Sequence, residues 1–416
     1  MILSELFENK EEYLNLIKAD WKSVSDSFPD PIDSVSYETK QKNEKYIQTI
    51  SSKFQKQVKS FPKLPLGRKK WRKKTLNLVK TSLHNETILN IHQVMSSEKI
   101  GLLMEEIKNF LRQVRSFAPE LSFADIGQAI RNYIVYTMFK EMHIENSGFN
   151  AAAYAYSMLY PFTDNYIDHK NYTDAEKQEY NRIICATINA AAVHPANIHQ
   201  EKTCELLRTI ISSYEKEGSY QISQLLLMML DAQACSIRQQ RQAFPLTAEE
   251  RLDVSLYKGG ISVLIDRYFV QEEISSEDLR FYLGFGFFLQ LADDLQDIKE
   301  DSLLGHSTLF TLDLSSDREE RTVNRLLHFL NHIMEHFQPK NIHMKNFVLA
   351  ASRLLIYTSV IGSKEFFSNE YLSQLEKSLP VTASFMENIL TQRVEKQDPE
   401  LQERYMDIVD GLILSD

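Results

Sequence analysis

An all-α fold is what this chain predicts, and three observations carry that prediction. Only 12 Gly and 11 Pro punctuate 416 residues, so turn signals are sparse. The composition leans on Leu, Ile, Glu, Lys and Gln, of which all but the β-branched Ile lose little rotamer freedom in a helix. Apolar residues recur at steps of three and four over long windows, and no segment sustains the strict alternation of a half-buried strand.

Residues 4–60 are charged and irregular, with Ser27-Phe28-Pro29-Asp30-Pro31 as a break. Beyond it, the spacing predicts helices near 75–95, 97–115, 123–143, 149–169, 174–192 and 200–217. Further helices are expected near 220–243, 247–271, 276–302, 317–337, 341–362 and 370–396, with a short one near 399–413. Ser122-Phe123-Ala124-Asp125 and Thr247-Ala248-Glu249-Glu250 supply two starts, because a Ser or Thr oxygen accepts from the unpaired amides of a first turn. No repeat of 20–50 residues is visible, which excludes a solenoid.

Three cysteines, Cys185, Cys204 and Cys235, are too widely spaced for a zinc signature or a disulfide framework, and a reducing cytoplasm is the expected location. Met1-Ile2-Leu3-Ser4-Glu5-Leu6-Phe7-Glu8 has acids where a signal peptide needs positive charge. No uninterrupted apolar run approaches the ~18 residues of a membrane span, so a soluble protein is expected. The formal net charge is −10, yet no acid occurs between Lys45 and His84, where Lys63, Arg68, Lys69, Lys70, Arg72, Lys73, Lys74 and Lys80 cluster. Trp71 is the only aromatic residue in that cluster and no nucleic-acid motif accompanies it, so a nucleic-acid partner is not expected. A solvated basic face is the plain reading; attraction to anionic lipid or to a diphosphate is the other.

The chemistry is written in two acidic clusters. In Phe287-Phe288-Leu289-Gln290-Leu291-Ala292-Asp293-Asp294-Leu295-Gln296-Asp297-Ile298-Lys299-Glu300-Asp301, the acids Asp293, Asp297 and Asp301 recur every four residues and share one helix face. Like charges that close repel unless a cation lies between them, and an all-oxygen set favours Mg²⁺. The second cluster, Asp164-Asn165-Tyr166-Ile167-Asp168, ends another apolar run, Ala151-Ala152-Ala153-Tyr154-Ala155-Tyr156-Ser157-Met158-Leu159-Tyr160. A helix C-terminus does not favour anions, so acids there are easier to understand with bound metal.

These segments resemble the class I isoprenoid synthases: trans-prenyltransferases, terpene cyclases and squalene-type synthases. Gln290-Leu291-Ala292-Asp293-Asp294-Leu295-Gln296-Asp297 is similar to the second aspartate motif of trans-prenyltransferases, and Gly305-His306-Ser307-Thr308-Leu309 to the G-K-x-T-L loop that follows it. Asp293, Asp297 and Asp301 also fall at the spacing of the terpene-cyclase metal triad, with two of its three residue types changed. The separation of Asp164 from Asp293 is about what the family places between its motifs. The likeness covers roughly residues 120 to 310.

The resemblance implies a class I isoprenoid synthase helical bundle around a central apolar cavity over 76–416, with 1–75 as an N-terminal extension, partly helical and basic at its end. It implies ionisation of an allylic prenyl diphosphate, with Asp164, Asp168, Asp293, Asp297 and Lys258 as catalytic residues. Asp164, Asp168, Asp293, Asp297 and Asp301 would hold three Mg²⁺ ions bound with the diphosphate. Lys258 in Leu256-Tyr257-Lys258-Gly259-Gly260-Ile261 resembles the helix-borne lysine that contacts diphosphate, with Arg238, Arg241 and Arg267 as helpers and Gln290 beside the acids. Tyr156, Tyr160 and Phe285 would line the prenyl cavity, with Gly286 leaving room for the chain. Asp168 is followed by His169-Lys170-Asn171-Tyr172 rather than by the Arg-Arg-Gly element that binds isopentenyl diphosphate, and the first motif begins Asp-Asn. Both departures point to a terpene synthase, a lyase that cyclises or eliminates. Chain elongation, head-to-head coupling and an idle isoprenoid-binding scaffold are the alternatives. A homodimer and a peripheral membrane contact through the basic segment remain compatible with the sequence.

Overall fold

The computed structural model describes residues 2–29, 34–143, 148–168, 172–240, 246–394 and 399–413. Among these there are nineteen α-helices and no strand. In chain order they are α1 (Ile2–Glu8), α2 (Lys10–Ser23), α3 (Tyr37–Lys59), α4 (Pro65–His84), α5 (Ile91–Val94), α6 (Ser97–Phe117) and α7 (Phe123–His143). Then come α8 (Ala151–Asp168), α9 (Asp174–Ile188), α10 (Ile198–Ser212), α11 (Lys216–Ser236), α12 (Ala248–Val270), α13 (Ser276–Gln296) and α14 (Ile298–Leu304). The chain closes with α15 (Ser316–Glu335), α16 (Ile342–Gly362), α17 (Asn369–Glu376), α18 (Ala383–Val394) and α19 (Pro399–Ile413).

The centre of the bundle is the pair α12 and α13, which are buried nearly all round, as helices without a polar stripe must be. They cross at glycine. A Cβ placed on Gly286 would stand 2.1 Å from the Gly259 carbonyl oxygen, and one on Gly259 would stand 2.3 Å from that of Gly286. Only residues without side chains permit backbones this close. Around the pair pack α2, α7, α8, α11, α15 and α16.

Both anticipated helix starts are present. Thr247 accepts from the Glu250 amide while the Glu250 carboxylate accepts from the Thr247 amide, a reciprocal capping box, and Ser122 and Asp125 exchange the same pair of bonds.

Residues 4–60, expected to be charged and irregular, are largely helical, and α2 joins the main core. Leu14, Ile17 and Trp21 of α2 lie in the main core, and the Trp21 ring meets Phe287 at 5.4 Å and Phe329 at 5.6 Å, both edge-on. Asp20 receives both arms of Arg280, and Lys18 reaches Asp253 at 2.6 Å. No break falls at residue 75, because α4 runs straight through it. The sequence pattern misleads for a physical reason: α2 buries only a narrow stripe, and α3 buries Lys40, Asn43 and Gln57 through hydrogen bonds to backbone carbonyls, partners that no local pattern announces.

Two long predicted helices are each divided. The expected 276–302 helix breaks at Asp297 (φ −97°, ψ 6°) into α13 and α14, and the expected 370–396 helix divides at the turn holding Pro380. The helix expected near 75–95 is α4 shifted toward the N-terminus, with short α5 after it. α16 has the length and mean hydropathy, 1.2, of a membrane span, and 56% of that window is buried inside the fold.

Candidate functional site

The acidic residues of α13 and α14 open onto a cavity of about 700 Å³ bounded also by α9, α11 and α12. Asp293, Asp294, Asp297, Glu300 and Asp301 line it from one side, and Lys258 and Gln290 line it with them. The bend at Asp297 does not disperse the acids. The Asp301 amide still donates to the Asp297 carbonyl at 2.9 Å, and the Asp297 amide to that of Asp293 at 2.9 Å, so the four-residue step continues through the bend.

These carboxylates differ in what holds them. Asp294 is 5% exposed; it accepts from Gln290 Nε2 at 3.0 Å and from Ser255 Oγ of α12 at 3.3 Å, which ties the acidic end of α13 to its neighbour. Asp293 is open to water yet walled by protein, at the floor of a cavity rather than on a convex surface. Asp301 meets His306 Nδ1 at 2.9 Å, and Gly305, in the left-handed region at φ 70°, turns the chain so that the His306 amide returns to the Asp301 carbonyl. The Ser307 amide then donates to the Gln239 carbonyl at 2.7 Å, and buried Arg251 donates to the Thr308 carbonyl, which fixes the loop.

Burial pushes all four aspartates up. Asp294 rises to about 7, mainly through desolvation, with Asp293 and Asp301 adding repulsion against the relief from Gln290. Asp297 rises to about 6 by desolvation and then by the charges of Asp293, Asp301 and Glu300. Asp293 rises by burial, opposed by Lys258 on α12 and Arg131 on α7; Asp301 rises by burial, opposed by His306. Burial is the leading cause in all four, and like charges add to it for Asp294, Asp297 and Asp301.

The all-oxygen donor chemistry suits a hard divalent cation such as Mg²⁺. Among the described residues no three His, Cys, Asp or Glu side chains converge on one ion. Mg²⁺ usually takes one or two carboxylates and completes its shell with water and phosphate oxygens.

A second, apolar space adjoins the first. Tyr156, Leu159 and Tyr160 of α8 face Ile184, Ile188, Leu207 and Leu226 across a narrow crevice of about 50 Å³, and Gln233 lines both spaces. Tyr160 Oη lies 2.6 Å from Ser262 Oγ, one turn beyond Lys258 on α12. A turn further along, Asp266 is 1% exposed, its Oδ2 has no hydrogen-bond partner, and burial holds its carboxyl well above the usual range.

The fold thus brings Lys258, Gln290, Asp293, Asp297 and Asp301 to one cavity and Tyr156 and Tyr160 to its apolar neighbour. α8 reaches the same place, since Ile167 of its last turn lines the acidic cavity; the side chains of Asp164 and Asp168 lie outside the described residues. Three expected substrate contacts sit elsewhere. Phe285 is packed among Phe139, Phe281 and Phe288 in the core. Gly286 gives its space to the α12 backbone, so it leaves none for a prenyl chain. Arg267 is 2% exposed, paired with Asp278 and donating to the carbonyls of Gln271 and Glu273, so it closes the end of α12. Arg238 pairs with Glu250, and Arg241 lies outside the described residues. Sequence reasoning missed Lys177 of α9, which lines the cavity, and Arg131. Neither adjoins an acidic motif in sequence, so no local signal marks them. Comparison with protein-family models, with curated proteins and with solved structures gives no match.

Proposed function

We propose that this chain ionises an allylic prenyl diphosphate with the aid of Mg²⁺ and lets the cation cyclise or eliminate, in the manner of the class I isoprenoid synthases. The observation that carries the reading is the meeting of two unlike spaces at Gln233: an acidic cavity flanked by cations, and a crevice walled by tyrosine and aliphatic side chains. An allylic diphosphate has the same division, an anionic head on an apolar tail.

Lys258 and Lys177 line the head-group space and would pair with diphosphate oxygens. Asp293, Asp297 and Asp301 would hold Mg²⁺, which supplies charge neutralisation where the departing diphosphate gains negative charge. Gln290 and Ser255 keep Asp294 aimed inward and the end of α13 fixed, so the site is organised before the bond breaks. The rings of Tyr156 and Tyr160 would face the allylic tail, each stabilising a nearby cation by about 0.5–2 kcal/mol while excluding water.

Incubation of the purified chain with Mg²⁺ and prenyl diphosphates of increasing length, with and without isopentenyl diphosphate, tests the reading. Hydrocarbon or alcohol product from one substrate alone is expected. A longer diphosphate instead shows elongation. An idle isoprenoid-binding scaffold is the alternative; substrate binding without any product would establish it.

A further inference from the structure

The α3–α4 hairpin carries a surface that the reaction does not use. Between Lys45 and His84 the sequence has twelve Lys and Arg and no Asp or Glu, in a chain whose formal charge is −10. On α4, Lys69, Lys70, Lys73, Lys74 and Lys80 are all exposed, as are Lys53, Lys56 and Lys59 on α3, which packs against it. Lys69, Lys70, Lys73 and Lys74 form no ion pair with any described residue. At the tip, where α4 begins, Leu64 is 72% exposed and Leu66 96% exposed, the latter higher than any other large apolar residue described. Lys63 and Lys69 stand on either side of them in sequence.

Solitary exposed leucines need no explanation. Two leucines at the tip of an unneutralised lysine face are different, because each feature adds to the other at one kind of boundary. An anionic bilayer attracts juxtaposed lysines and accepts apolar side chains below its head groups. Nucleic acid would reward the lysines alone. Trp71, the aromatic ring set among the lysines of α4, is 6% exposed, its indole N–H given to the Gln57 carbonyl and its ring in edge contact with Phe61 at 4.9 Å, so it is not free to stack on a base. The only acids of the packed neighbour α19 are Glu400, Glu403, Asp407 and Asp410, and Asp410 is engaged by Arg115.

We propose that the tip of this hairpin is a docking surface for anionic membranes, with Leu64 and Leu66 entering the head-group boundary and the lysines of α4 meeting the lipid charge. The net negative charge of the chain as a whole disfavours approach of its other faces to the same membrane and so orients the molecule. This inference stands independently of the catalytic reading.

The test is co-sedimentation of the full chain with vesicles of phosphatidylcholine alone and of phosphatidylcholine containing phosphatidylserine. Binding to the second and not the first is expected. Lys69→Glu/Lys70→Glu/Lys73→Glu should weaken it by about tenfold or more, and Leu64→Ser/Leu66→Ser by about tenfold. Both variants alter exposed side chains and should keep the circular dichroism and melting temperature of the parent. No binding to anionic vesicles overturns the proposal. So does vesicle binding that the leucine variant leaves unchanged, or fluorescence anisotropy showing tight binding of RNA or duplex DNA that depends on the lysines and ignores the leucines.

Discussion

Glu319 offers a direct way to see whether the buried charges of this fold are placed as described. It lies in the first turn of α15, is 0% exposed, and neither carboxylate oxygen has a hydrogen-bond partner. Burial pushes its carboxyl up to about 8 from an ordinary 4.5, with Arg318 pulling it back and Asp313 pushing further. Between pH 4.5 and 8 the folded chain therefore binds the proton that the unfolded chain has lost, and stability falls as pH rises through that window. The contribution is near zero at pH 4, about 2 kcal/mol unfavourable at pH 6, and levels off at about 5 kcal/mol above pH 8, at 1.36 kcal/mol per unit of difference. Glu319→Gln removes the titration and keeps the shape. Urea unfolding of both proteins at pH 5, 7 and 9, followed by far-UV circular dichroism, should show the glutamine variant gaining on its parent as pH rises. The difference between the two proteins cancels every other titrating group. A gain independent of pH, or a loss at pH 9, would refute the reasoning.

Further predictions follow from the site and its support. Asp293→Asn and Asp297→Asn should each abolish turnover while leaving the circular dichroism intact, and in EDTA their melting temperatures should equal or exceed the parent's, since each removes repulsion; near-parental activity would remove these residues from the site. Gly286→Ala should cost about 3 kcal/mol or more, because only backbone lies in the path of the new carbon, whereas Gly101→Ala, with nothing within 4 Å, should stabilise α6 by about 1 kcal/mol in the same denaturation assay. Tyr160→Ala should change the product profile with metal dependence retained; an unchanged profile in a protein destabilised by about 3 kcal/mol or more would make Tyr160 an ordinary packing residue.

The helical class, the capping boxes and most helices from α6 onward were legible because period, cap and length agreed in each. The acidic face was legible for the same reason: a four-residue step is a property of sequence, and it survives the bend at Asp297. What was hidden depends on contacts between distant segments. Gly286 reads as empty space until the Gly259 carbonyl occupies it. Arg267 reads as a spare cation until Asp278 is found eleven residues on, across the turn between α12 and α13. α2 and α3 were hidden because one buries a single narrow stripe and the other buries amides and an ammonium group. Lys177 and Arg131 come to the acids from other helices, and only the packing of α7 against α12 and of α9 against α11 brings them there.

The central claim is that the acidic cavity takes a diphosphate head group through Mg²⁺. Calorimetric titration of inorganic diphosphate into the purified chain, with Mg²⁺ and then with EDTA, tests it without any assumption about the prenyl tail or the product. Binding is predicted in Mg²⁺ only, and it should be lost in Asp293→Asn and weakened in Lys258→Ala. Diphosphate binding that persists in EDTA, or that survives Asp293→Asn, would contradict the account.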